Sequence, residues 1–155
     1  MRGLISKIGW ERSKMKREME ELIVKSFFDK HIQERVLHEL FTPKKRKDAM
    51  NRLCHRYTKM LKEKYMIEIP PPNSNPKYIY DVLMMHGAEK MCYSLSYNEK
   101  IDGKELPLLE ALEHAVGDGF PSIISCIPGE LAYFESEQEY GAPPRYLLKR
   151  PKYEL

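Results

Sequence analysis

The sequence predicts an α+β fold, with a helical N-terminal lobe of two to three helices followed by a small, mostly antiparallel sheet with two helices. Three observations predict it. Between Trp10 and Met66 there is no glycine and only one proline, so helix formers run almost uninterrupted. Residues 70–76, PPPNSNP, read as a proline-rich linker. Beyond them, short apolar stretches alternate with turn dipeptides, which is typical of strands.

Two apolar stripes predict separate helices in the first forty residues. The members of the first stripe recur every three or four residues: Met15, Met19, Leu22, Ile23, Ser26 and Phe27. A second stripe runs from Ile32 to Phe41. Asp29 can cap a new helix between the stripes, or one long helix can run straight through; we expect a break near residues 28–30. A third helix should start with Thr42 as its cap and Pro43 at its first position, and run to about Tyr65.

Periodicity and turn signals also order the second half of the chain. Pro128-Gly129 separates two apolar, β-rich stretches and therefore predicts a hairpin. The expected elements, in chain order, are a helix over 77–90, a strand over 91–97, a helix over 107–117, hairpin strands over 120–127 and 131–135, and a last strand over 145–149.

The charges of the chain divide close to the linker. Residues 1–66 carry 18 Lys and Arg against 9 Asp and Glu, whereas residues 67–155 carry 8 against 14. We therefore predict a basic helical lobe over 1–69, the linker over 70–76 and an acidic α+β lobe over 77–155. The linker is short enough for the two lobes to pack as a single domain. Such an asymmetry points to an anionic partner for one half, or to contact between the halves.

Composition excludes several classes of protein. No apolar run approaches the roughly 20 residues of a membrane-spanning helix, and the first ten residues are too weakly apolar for a signal peptide. We expect a cytoplasmic protein without a membrane partner. Three cysteines far apart in sequence predict reduced, buried thiols rather than a disulfide framework. No motif for a cofactor or a nucleotide is present, so we predict no cofactor.

The third helix carries the strongest candidate for a binding surface. Basic residues cluster at its start and follow one face, opposite its apolar stripe. We predict that they contact nucleic-acid phosphates, with His55 assisting: Lys44, Lys45, Arg46, Lys47, Arg52, Arg56 and Lys59. Four cations at a helix N-terminus oppose the helix dipole, which suggests a use outside the helix. The competing interpretation is an ordinary solvated face.

Two groups with metal-ligand chemistry are weak candidates. His31, Glu34 and His38 lie on one helical face, but nothing nearby in sequence completes a tetrahedral set, so we interpret them as surface residues. Cys54 and His55 are adjacent and diverge by about 100° on a helix, and Cys54 falls on the apolar side. We therefore predict Cys54 to be a core residue and predict no metal site.

Three functions remain as hypotheses. The first is a non-enzymatic protein that binds nucleic acid through its basic helical lobe. The alternative is a protein-interaction module, such as an adaptor, an inhibitor or an immunity-type subunit of a larger assembly. The third is a small enzyme that uses His114 with Glu110 and Glu113 as an acid–base group, although residues 110 and 114 also suit an ordinary surface pair.

Overall fold

The computed structural model describes residues 2–137 and 143–152, with side chains from residue 9 onward. Residues 138–142 and 153–155 of the predicted acidic lobe lie outside the described residues. Within the described residues, five α-helices, two short 3-10 helices and six strands follow one another: α1 Arg2–Phe27, a 3-10 helix Lys30–Ile32, α2 Gln33–Leu40, α3 Arg46–Met60, a 3-10 helix Glu63–Tyr65, β1 Met66–Glu68, α4 Pro76–Met85, β2 Met91–Ser96, β3 Lys104–Pro107, α5 Leu108–Ala115, β4 Ser122–Ile127, β5 Leu131–Glu135 and β6 Arg145–Lys149.

The six strands form one antiparallel sheet in the order β1-β6-β5-β4-β2-β3. The α+β prediction is thus confirmed. The central strands β2, β4 and β5 are almost wholly buried, whereas the edge strands β1 and β3 are short and largely exposed. Pro107 ends β3, an edge position where a missing N–H costs no ladder hydrogen bond.

Helices cover both faces of the sheet, so the fold has three layers. Along β2, Tyr93 and Leu95 point into a core shared with α1, α2 and α3, while Cys92 points into a second core shared with α4 and α5. Along β5, Phe134 faces the first core and Tyr133 the second. This alternation follows from the two-residue period of a strand, and it explains why the central strands are apolar on both faces.

The basic and acidic halves of the sequence share the first core. It combines residues of α1–α3 with Tyr93, Leu95 and Leu148 of the sheet. Strand β1, which belongs to the basic half, pairs with β6, so that Ile67 lies opposite Leu147. The proline-rich segment connects β1 with α4, and Asn75 Oδ1 caps α4 by accepting a 2.8 Å hydrogen bond from the backbone N–H of residue 77.

The expected break between the first two helices is confirmed, and the structure gives its reason. The backbone N–H of Asp29 donates to Met60 O at 2.8 Å, and that of Lys62 donates to Phe27 O at 2.8 Å. The end of α1 is therefore tied to the end of α3 through a short bridge between Phe28 and Leu61. These backbone bonds compete with a continuous helix through residues 28–30.

Three predicted helix boundaries are wrong. Thr42 does not cap the third helix, because its hydroxyl donates to His38 O at 2.7 Å and thereby closes α2. Helix α3 begins at Arg46 and ends at Met60, since the chain turns into the bridge at Leu61. Helix α4 ends at Met85 rather than near 90, and Gly87 adopts φ +92° just beyond it, a backbone conformation that glycine tolerates best.

All three cysteines are buried, as predicted. Burial raises the pKa of Cys92 to about 12 and raises that of Cys126 well above its usual range. These two thiols are therefore protonated and inert core groups at neutral pH. Among the described helices, none combines the length and apolar character that a bilayer-spanning segment needs.

A row of buried polar residues crosses one end of the sheet. Ser96, Ser122, Glu135 and Arg145 lie opposite one another on four adjacent strands, and each is at most 2% exposed. Ser96 and Ser122 share a 2.7 Å hydrogen bond, and Arg145 Nε lies 3.7 Å from Glu135 Oε1. Glu135 also accepts a 2.8 Å hydrogen bond from the Tyr133 hydroxyl. The row places a carboxyl group, that of Glu135, and a guanidinium, that of Arg145, inside the second core.

The environment of Glu135 makes its protonation depend on folding. Burial raises the pKa of Glu135 to about 7, although the Tyr133 hydroxyl, the Arg145 charge and the backbone of Gly117 each lower it, while Asp118 raises it further. Its Oε2 has no hydrogen-bond partner among the described residues. The folded protein therefore binds this proton more tightly than the unfolded chain does.

We predict that stability falls as pH rises through the window from about 4.5 to about 7, because the unfolded carboxyl ionises first. The effect should be on the order of 2 kcal/mol and should be measured by urea unfolding at several pH values. Glu135→Gln should flatten this part of the pH profile, even if it lowers stability overall by leaving Arg145 without its counterion. An identical pH profile for both proteins would contradict the assignment.

Candidate functional site

The seven basic residues predicted to bind nucleic acid fall into two groups. Arg46, Lys47 and Arg52 make ion pairs within the chain. The other four are exposed and, within the described part of the chain, make no ion pair: Lys44, Lys45, Arg56 and Lys59. By helical spacing, Lys45, Arg56 and Lys59 lie on one side of α3. The predicted surface is therefore smaller than the sequence suggests.

Arg46 uses all five of its N–H groups inside the protein. Its two Nη atoms donate hydrogen bonds to the Glu20 carboxylate at 2.6 and 2.7 Å. Its Nε and Nη2 atoms donate to the Asp102 carboxylate at 2.8 and 2.9 Å, and Nη1 also donates to Leu40 O at 3.1 Å. Glu20 also accepts a hydrogen bond from the Tyr93 hydroxyl. A guanidinium bound in this way has no donor left for a phosphate.

This network joins three elements that are distant in sequence. Glu20 belongs to α1, Arg46 to α3 and Asp102 to the turn between β2 and β3. Asp102 also accepts a 3.0 Å hydrogen bond from the backbone N–H of Ser96. Burial, followed by the adjacent Glu20 charge, raises the pKa of Tyr93 far above its usual range, so Tyr93 remains a donor. The network therefore fixes α1 against the sheet.

Two other cations of the predicted surface also have internal partners. Arg52 donates to both carboxylate oxygens of Glu39, which lies on α2 and is buried. Lys47 lies 3.1 Å from Glu99 and 5.8 Å from the centre of the Tyr97 ring. The Arg52 pair joins α3 to α2, whereas the exposed Lys47 pair contributes little to stability. Both cations therefore pair with carboxylates of the same chain.

Two adjoining clefts run along α1. The first, of about 330 Å³, lies between α1 and the turn before α3, and its basic residues are Lys16, Arg17 and the already paired Arg46. The second, of about 500 Å³, lies between α1 and the start of β3, and its basic residues are Arg12, Lys16 and Lys104. Ser13 and Lys16 line both clefts, so the clefts adjoin. We refer to the two clefts together as the groove.

Four cations of this groove make no ion pair with any residue that the structure describes: Arg12, Lys16, Arg17 and Lys104. Arg17 lies over the Phe41 ring, 4.6 Å from its centre, which holds the guanidinium in place without neutralising it. A Cβ at Gly103 would lie 2.7 Å from Lys16 Cε, so this glycine lets Lys16 lie against the β2–β3 turn. We call these four residues the groove cations.

The sequence offers only a partial signal for the groove cations. Arg12 and Lys16 are four residues apart, so both belong to one face of α1. The sequence therefore indicates a basic face on α1, but a weaker one than the four consecutive cations at residues 44–47. Nothing in the sequence indicates that Lys104 lies beside α1, since this follows from how α1 packs on the sheet.

The proposed acid–base group gains no support from the arrangement of α5. Glu110 and Glu113 are exposed, and no hydrogen bond joins either of them to the His114 side chain in the part of the chain that the structure describes. The backbone carbonyl of His114 accepts a 3.3 Å hydrogen bond from Asn98. None of the three residues lines the groove along α1.

One cluster of potential metal donors is present among the described residues. Cys54, His55 and Glu137 offer one donor atom each, and these atoms lie within 4.8 Å of one another. Cys54 is buried, as predicted, but its thiol contacts Glu137 Oε2 at 3.1 Å rather than only apolar neighbours. Sequence spacing could not indicate this cluster, because Glu137 is 83 residues from Cys54.

Comparisons of the chain with models of protein families, with curated proteins and with solved structures find no match. The function must therefore be inferred from the geometry and charge of the chain itself.

We predict that Arg46→Ala lowers the free energy of unfolding by about 3–5 kcal/mol, because it leaves the fully buried Glu20 without a counterion. Urea unfolding at neutral pH measures the change. Arg56→Ala is the matched control, since this exposed arginine on the same helix should change stability by less than about 0.5 kcal/mol. Equal effects of the two substitutions would show that the Arg46 network is not structural.

Proposed function

We propose that this protein binds nucleic acid, with the sugar–phosphate backbone lying along the groove beside α1. The observation that carries the proposal is the presence in one groove of four cations that form no ion pair with any described residue. Arg12, Lys16, Arg17 and Lys104 line it, and the acids among its described lining residues are Glu20, which Arg46 neutralises in part, and Glu105. A row of cations that can replace condensed counterions is what a polyanion requires.

Exposed cations of the turn before α3 extend this surface. Pro43 lines the first cleft, and the exposed Lys44 and Lys45 follow it directly in sequence. Arg56 and Lys59 lie further along α3 and would contact only a longer ligand. In this proposal Arg46, Lys47 and Arg52 shape the surface rather than contact phosphate. These contacts would position the strand without reading its base sequence.

A single strand fits this surface better than a duplex. Trp10 lies on α1 about one turn before Ser13, is 64% exposed and is the one tryptophan of the chain. An exposed indole on the helix that carries Arg12, Lys16 and Arg17 can stack on an unpaired base, and such stacking tolerates any sequence. The burial of all three cysteines is in keeping with a reducing, cytoplasmic setting for this function.

We predict that replacing both Lys16 and Lys104 by alanine weakens binding to a labelled single-stranded oligonucleotide and flattens its salt dependence. Loss of two phosphate contacts should reduce the slope of log affinity against log salt by about 1.4. Fluorescence anisotropy from low to physiological salt measures both quantities.

The matched control replaces Lys30 and Lys90, two exposed lysines outside the groove, and removes the same total charge. It should leave the slope unchanged. Equal weakening by both double variants would indicate a general charge effect and contradict the groove. Absence of binding by the unmodified protein at low salt would refute the proposal as a whole, and a protein complex that survives moderate salt would favour an interaction module instead.

A further inference from the structure

A second site, independent of the groove, lies where α3 meets the chain just beyond β5. Cys54 Sγ lies 3.1 Å from Glu137 Oε2, and His55 Nε2 lies 3.8 Å from the same oxygen. Cys54 is 7% exposed, whereas the His55 and Glu137 side chains are 47% and 39% exposed. The cluster therefore has a buried sulfur at its base and an open side formed by the imidazole and the carboxylate.

The Glu137 carboxylate brings together two side chains that helical geometry separates. Adjacent residues on a helix diverge by about 100°, so Cys54 and His55 alone cannot point at one spot. Glu137 comes from another element and contacts both side chains, which places all three donor atoms around one point. The backbone of Arg56, at φ −131° and ψ 25°, departs from helical geometry directly after the pair. The helix is thus irregular at this site.

The distances fit a shared tetrahedral ion. With Zn–S of about 2.3 Å and Zn–N and Zn–O of about 2.1 Å, tetrahedral ligands lie roughly 3.4–3.6 Å from one another. The sulfur–oxygen and nitrogen–oxygen separations are 3.1 and 3.8 Å, within about half an ångström of these values, and the sulfur and nitrogen lie within 4.8 Å of each other. Side-chain torsions alone can supply such a change.

We propose that Cys54, His55 and Glu137 bind a divalent transition metal ion, with Zn²⁺ the best fit. A thiolate with an imidazole selects Zn²⁺ over Mg²⁺ and Ca²⁺, which prefer oxygen ligands only. On binding, the Cys54 S–H bond breaks, its proton leaves to solvent, and the sulfur electron pair forms the Zn–S bond. No electron is transferred.

Bound metal would tie α3 to the end of β5. Because the ion binds the folded chain and not a dispersed set of ligands, it should raise the thermal midpoint of unfolding as its concentration rises. Protons compete for the sulfur and the imidazole, so affinity should fall as the pH is lowered. Neither effect involves the groove cations, so this inference stands or falls separately from nucleic-acid binding.

The test is titration of the full-length, reduced protein with ZnCl₂ by calorimetry, and with Co²⁺ by absorption spectroscopy. We expect one equivalent of Zn²⁺ to bind with micromolar or tighter affinity, and Co²⁺ to give a thiolate-to-metal charge-transfer band. His55→Ala and Glu137→Gln should each weaken Zn²⁺ binding roughly tenfold or more. Cys54→Ser should remove the charge-transfer band. If this core substitution prevents folding, the two half-exposed positions still decide the question.

His38→Ala is the matched control, because it removes an exposed histidine from α2 and leaves the cluster intact. It should change neither stoichiometry nor affinity. Cys92→Ala provides the same control for a buried thiol outside the cluster. The proposal is overturned if the unmodified protein binds no stoichiometric Zn²⁺, or if binding survives both His55→Ala and Glu137→Gln unchanged.

Discussion

The ion-pair network around Arg46 is the interaction on which the arrangement of the helical layer depends. One guanidinium binds two carboxylates from elements 26 residues before it and 56 residues after it. Because Glu20 is fully buried, α1 cannot move away from α3 without leaving a charge in the core. Glu20 and Arg46 line one of the two clefts, and the turn that carries Asp102 borders the other. The groove thus exists because this pairing holds α1 against the sheet.

Much of the fold could be predicted because strongly patterned segments specify it. The final strand was predicted at Arg145–Lys149 and is observed there, and the hairpin around Pro128-Gly129 is formed by β4 and β5. The two missed strands, β1 and β3, are edge strands of three and four residues that carry charges such as Glu68 and Lys104. Their pairing is determined by the neighbouring strand rather than by their own residues. Helix ends were misplaced where tertiary contacts, such as the bridge at Leu61, compete with local propensity.

The site was less predictable than the fold, because charge in a sequence does not reveal its partners. Arg46 and Arg52 looked like members of a basic face, yet their carboxylate partners come from α1, α2 and the β2–β3 turn. The groove cations differ from Arg46 and Arg52 because they lack carboxylate partners among the described residues. Only three-dimensional packing brings Lys104 to α1. The metal-donor cluster shows the same limit, since helical periodicity separates Cys54 from His55 and only Glu137 unites them.

Lysine acetylation footprinting is the direct test of our proposal that nucleic acid lies along α1. The full-length protein would be acetylated at low salt with and without a saturating single-stranded oligonucleotide, and each lysine quantified by mass spectrometry. The account predicts strong protection of Lys16 and Lys104 and no protection of Lys30 and Lys90. Equal acetylation of Lys16 and Lys104 in the presence and absence of the oligonucleotide would contradict it.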